Sequence, residues 1–71
     1  MYFELVRDDD QEVEHRFGYP TMNRRLVIEK ATGEGRPDDD RDDKACRAVF
    51  VKITRFHRSE ACWPRRGTYA A

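Results

Sequence analysis

Seventy-one residues make one small domain at most, and a chain this short buries only about 60% of its unfolded surface, so a large core is excluded. Charged residues make up 39% of the chain and apolar residues 38%, which is polar for a globular domain, yet eight aromatics argue against disorder. No run is long or apolar enough to span a bilayer, the N-terminus MYFELVRDDD lacks the pattern of a signal peptide, and two cysteines are too few for a disulfide scaffold; a soluble, cytoplasmic protein with reduced thiols is expected.

Residues 2–7, YFELVR, alternate, with Phe3 and Leu5 on one face and Tyr2, Glu4 and Val6 on the other. Asp8, Asp9 and Asp10 are turn formers. Residues 11–17, QEVEHRF, alternate again and set Val13, His15 and Phe17 against Glu12, Glu14 and Arg16, which predicts a hairpin. Gly18, Tyr19 and Pro20 break the chain. RRLVIEK, residues 24–30, is β-rich around Leu26, Val27 and Ile28 and suits a third strand better than a helix, which would be apolar all round. Residues 31–43, ATGEGRPDDDRDD, read as a flexible acidic loop.

The strongest pattern follows. Cys46, Val49, Phe50, Ile53, Phe56 and His57 recur at spacings of three and four, a single apolar helical stripe. Asp42 and Asp43 suit the N-terminus, Arg55 and Arg58 the C-terminus, and Pro64 stops the element, so a helix is expected over about 42–60. Its valines and threonine are mediocre helix formers, and packing must hold it. The expected fold is α+β: a three-stranded antiparallel β-meander with one C-terminal α-helix packed on one face. It forms a single domain over 1–67, and 68–71 form a tail. Phe3, Leu5, Val13, Phe17, Leu26 and Ile28 are expected to face the helix, with Trp63 folded over the helix end.

A catalytic or metal centre finds little support. A helix over 46–60 holds Cys46 and Cys62 about 24 Å apart, too far for a bridge. Cys46 reads as a core residue; Cys62, near Arg65 and Arg66, carries only a weak thiolate hint, and Cys62-dependent thiol chemistry is the least favoured alternative. Cys46, Cys62, His15 and His57 lack zinc spacing. Ser59 and His57 are two apart on a helix and diverge. The Asp clusters match no calcium loop, and TGEGRP runs into aspartates that repel phosphate. No catalysis, metal or cofactor is expected.

Charge is distributed unevenly. Residues 1–43 carry seven basic and thirteen acidic groups, whereas residues 44–71 carry seven basic groups and one acid. Either the halves neutralise one another by packing, or the basic half meets an anionic partner. The arginine bias reads mainly as GC-rich coding and only secondarily as phosphate recognition. Lys44, Arg47, Lys52, Arg55 and Arg58 fall opposite the apolar stripe with Val51 among them, no acid interrupts residues 44–59, and Arg65 and Arg66 extend the patch. This candidate binding face suits an acidic protein surface, with nucleic acid as the alternative. A homodimer through the far sheet face, with Tyr2, Val6 and Val27, is a second candidate contact.

Overall fold

The computed structural model describes residues 2–19, 21–41 and 43–69. Its elements are β1 (Tyr2–Asp8), β2 (Glu12–Gly18), β3 (Arg24–Glu29), β4 (Gly35–Pro37), α1 (Lys44–Glu60) and β5 (Arg66–Thr68). The strands form one antiparallel sheet in the order β4-β3-β2-β1-β5, with α1 on one face. The α+β class and the central β1–β2–β3 meander are as expected, but the sheet has five strands rather than three.

Both added strands lie where no strand was predicted. β4 falls inside the expected acidic loop, and β5 brings Thr68, expected in a tail, into the sheet. Tyr69, also assigned to that tail, is buried in the core. Each added strand is three residues long and centres on or begins with a glycine, so neither shows an alternation. The glycines are needed for packing. A Cβ on Gly35 would lie 2.5 Å from Cδ1 of Phe50, and one on Gly67 would lie 2.6 Å from Cζ of Phe3. A phenyl ring therefore lies directly on the backbone of each edge strand.

Register places Phe3 opposite Phe17, Leu5 opposite His15, Val13 opposite Ile28 and His15 opposite Leu26, all on the face beneath the helix. With Cys46, Val49, Ile53 and Tyr69, the inward residues Phe3, Val13, Phe17, Leu26 and Ile28 form the core, and Leu5 packs at its margin. Burying each large aliphatic or aromatic side chain contributes about 1.5–3 kcal/mol before the entropy of ordering is set against it. His15 is fully buried among them. Its Nε2 lies 2.7 Å from the carbonyl oxygen of Pro64, which can only accept, so Nε2 carries the proton. Burial pushes its pKa below the usual imidazole value, against the opposing pull of that carbonyl and of Asp8.

The β1 alternation breaks at Val6, where a bulge shifts the register between Leu5 and Arg7. Arg7 consequently pairs with Glu14 on the outer face instead of following Phe3 and Leu5 inward. The first turn is closed by Asp9, whose Oδ1 accepts the N–H groups of Gln11 and Glu12 at 2.9 and 2.7 Å.

The helix begins at Lys44, two residues later than expected, because Asp43 is its N-cap: Oδ1 accepts the N–H of Cys46 at 3.0 Å. Asp42, the other expected capping residue, lies outside the described residues. The helix ends at Ala61 in the left-handed conformation, φ 60°, with its N–H bonded to the carbonyl of His57 at 2.9 Å. The apolar stripe narrows along the helix. Cys46, Val49 and Ile53 are buried and Phe50 half-buried, but Phe56 is exposed and His57 only half-covered. Trp63 does fold back over this end; its ring stacks on His57 with centroids 3.9 Å apart and planes inclined by 12°.

Candidate functional site

The sheet disposes of most of its own charge. Its outer face carries Glu4, Arg16 and Arg25 in one row and Arg7, Glu14, Val27 and Arg36 in another. Glu14 bonds Arg25 at 2.8 Å and Arg7 at 3.4 Å; Glu12 bonds Arg7 at 3.1 Å and Arg36 at 3.2 Å; Glu4 pairs with Arg16. The bonds from Arg7, then Arg36, hold the Glu12 carboxyl below its ordinary pKa. Lys30 pairs with Asp8, Arg24 with Asp39 and Asp43, and Arg41 with Asp43. All of these partners lie within residues 4–43.

The basic half is treated differently. Among the described residues, Lys44, Lys52, Arg55, Arg58, Arg65 and Arg66 enter no ion pair. The net charge of zero therefore does not arise from packing these cations onto the acids of the first half. The acids meet the arginines of their own sheet, and the outer face of α1 keeps its positive potential.

Helical period explains the arrangement. With Cys46, Val49 and Ile53 held against the sheet, the side chains offset by half a turn must face water. Lys44, Arg47, Val51, Lys52, Arg55 and Arg58 are all exposed. Lys44, Arg47, Lys52 and Arg55 surround an open depression of about 430 Å³ whose apolar surface comes from Ala48, Val51 and Tyr69. Val51 is 43% exposed, an apolar residue amid cations that solvent alone gives no reason to place there. The buried ring of Tyr69 reaches this depression from the core side, where it packs near Phe3 and Phe17. Lys44, Lys52 and Arg55 around an apolar centre can hold carboxylates or phosphates at the edges and an apolar group between them.

The structure does not gather all eight predicted site residues. Lys44, Arg47, Val51, Lys52 and Arg55 share the depression; Arg58 continues the exposed face at the last turn. Arg65 lies instead beside Leu5, Phe56, Cys62 and Trp63, and its carbonyl accepts the N–H of Leu5 at 2.6 Å. Arg66 pairs in register with Glu4, which puts it on the sheet face turned away from α1. Ala48 and Tyr69 complete the depression and were not anticipated. Ala48 could have been found by its spacing of four from Lys44 and Lys52, whereas no local signal ties Tyr69 to a helix that ends nine residues upstream.

Elsewhere, Cys62 is exposed and Cys46 buried, both as free thiols. The Ser59 hydroxyl bonds Glu60 at 3.4 Å, and His57 is occupied by its stack on Trp63. Among the described residues no three His, Cys, Asp or Glu side chains group as metal ligands, and no helix is long and apolar enough to cross a membrane. On the far sheet face, Tyr2 lies in register with Gly18 and Thr68, Val27 with Glu14 and Arg36, and Val6 at the bulge, so ion-paired rows separate them. Comparison with protein-family models, curated proteins and solved structures finds no match to this chain.

Proposed function

We propose that this protein is a small non-enzymatic interaction module whose α1 face engages an acidic protein surface. The observation that carries this reading is the set of cations on one helix face, Lys44, Lys52 and Arg55, with no carboxylate partner among the described residues. Long cationic side chains left unpaired around an apolar patch are complementary to carboxylates around an apolar side chain. The test is an amide NMR titration with an acidic protein surrogate, polyglutamate, and separately with a short DNA duplex, each at low and moderate salt. Shifts at Lys44, Lys52 and Arg55 with polyglutamate, lost in the Lys44→Glu/Lys52→Glu/Arg55→Glu variant, support the reading. Unchanged affinity in that variant overturns it.

Nucleic acid is the second reading, favoured by the same cations repeated along three turns of helix. It predicts a steep fall in duplex affinity with salt, because each phosphate contact releases about 0.9 counterion. Exposed Val51 at the centre of the face favours the protein partner.

A further inference from the structure

We infer that the occupant of the α1 face is an acidic amphipathic helix that sets one apolar side chain against Ala48 and Val51 and brackets it with carboxylates. This deepens the protein-partner reading and rests on it. Lys44, Ala48 and Lys52 fall four apart along α1, and Ala48, Val51 and Arg55 at spacings of three and four, so all five share one side of the helix. From Lys44 to Arg55 the stripe runs about 16 Å at the helical rise, three turns of a partner lying alongside.

The order of side chains along the stripe matters. Cations Lys44 and Arg47 come first, the apolar pair Ala48 and Val51 sits in the middle, and cations Lys52 and Arg55 follow. Helices pack with axes about 8–10 Å apart, closer where the side chains at the crossing are small, and Ala48 supplies a small one. Tyr69, 7% exposed and fixed by the rings of Phe3 and Phe17, backs the apolar centre with a rigid wall. A phosphate backbone offers nothing for this centre to bury. A partner helix with an apolar residue at its crossing point and acids three and four residues to either side meets the cations and the centre together.

A second copy of this chain fits less well. The acids Glu4, Glu12 and Glu14 that its outer sheet face would offer are already bonded to Arg16, Arg7, Arg25 and Arg36. Docking them on α1 would break those pairs.

The experiment uses the full chain and three labelled probes read by fluorescence anisotropy. One is an eighteen-residue helical peptide with a single leucine flanked by glutamates at three and four residues on each side. The second replaces that leucine by serine, and the third is polyglutamate of equal length. The leucine peptide should bind about tenfold tighter than the serine peptide. Val51→Ser should erase that difference; Val51 is exposed, so the fold tolerates the change, and circular dichroism checks it. Equal affinity for all three probes overturns the apolar anchor and leaves the acidic-partner reading standing. A leucine advantage that survives Val51→Ser places the contact elsewhere and also overturns it. Absence of binding by every probe overturns both.

Discussion

Arg24 joins the sheet to the start of the helix: its Nη1 binds both carboxylate oxygens of Asp43, at 3.1 and 3.0 Å, while one of those oxygens accepts the N–H of Cys46 at 3.0 Å. The same guanidinium donates to Asp39 at 3.0 Å and to the carbonyl of Arg41 at 2.9 Å, and its carbon lies 4.8 Å from the centre of the Phe17 ring. The Cys46 N–H and then Arg24 hold the Asp43 carboxyl below its ordinary pKa. One side chain therefore ties Asp39, Arg41 and Asp43 to the sheet, orients the helix cap and covers a core aromatic.

Replacing it tests that role. Arg24→Met keeps the packing volume over Phe17 but takes its cation from Asp39 and leaves Asp43 only the longer pair with Arg41, and should cost about 1–2 kcal/mol in urea unfolding. Arg25→Met is the control: Arg25 is half-exposed, its side chain pairs with Glu14 alone among the described residues, and the change should alter stability by less than about 0.5 kcal/mol. Equal losses in both variants would mean that the Arg24 network is no stronger than a surface pair.

The helix end makes a prediction of opposite sign. Ala61 occupies the left-handed region at φ 60°, where its Cβ crowds the backbone and glycine does not. Ala61→Gly should stabilise the protein by about 0.5–1 kcal/mol despite the added freedom of the unfolded chain, and Ala61→Val should destabilise it. Thermal melts of both variants read the two signs directly. A loss of stability with glycine would show that the cap relaxes to another conformation in solution.

The meander and helix could be read from the chain because Phe3 and Leu5, Val13, His15 and Phe17, and Cys46, Val49 and Ile53 each repeat the period of their element. The basic face followed, since fixing the buried stripe fixes which side chains face water. β4 and β5 could not be read: Gly35 and Gly67 have no side chain to alternate, and what covers them, Phe50 and Phe3, is distant in sequence. The outward turn of Arg7 depends on a bulge at Val6 that no residue type announces. Whether the acids would neutralise the helix cations was also undecidable from composition. It depends on register, which sets Arg16 beside Glu4 and Arg7 beside Glu14.

The two aromatic–glycine contacts should differ in cost. Phe3 is 3% exposed and boxed into the core beside Phe17, so a methyl on Gly67 must displace packed atoms. Phe50 is half-buried and can swing away from a methyl on Gly35. Gly67→Ala should cost about 2 kcal/mol and Gly35→Ala less than about 1 kcal/mol. Adding Phe50→Ala to Gly35→Ala should recover part of that loss in a double-mutant cycle; strict additivity would mean that the ring does not rest on Gly35.

Buried His15 sets the behaviour in mild acid. Its imidazole is neutral in the folded protein, donates from Nε2 to Pro64, and has its pKa lowered by burial. In the unfolded chain it takes up a proton near pH 6.5. Between those two values the unfolded state binds the extra proton, so stability is full above about pH 6.5 and falls as pH drops through the window, by up to about 1.4 kcal/mol per pH unit. The carboxylates whose pKa values are lowered, Asp9, Glu12, Asp39 and Asp43, add their own loss only at lower pH, near their unfolded values of about 4. Urea midpoints between pH 7.5 and 5 therefore read His15 ahead of those carboxylates. They should fall in the wild type and fall less in His15→Leu, which keeps the core filled without a titrating group there. A slope that persists undiminished in His15→Leu would show that the buried imidazole does not set the acid response.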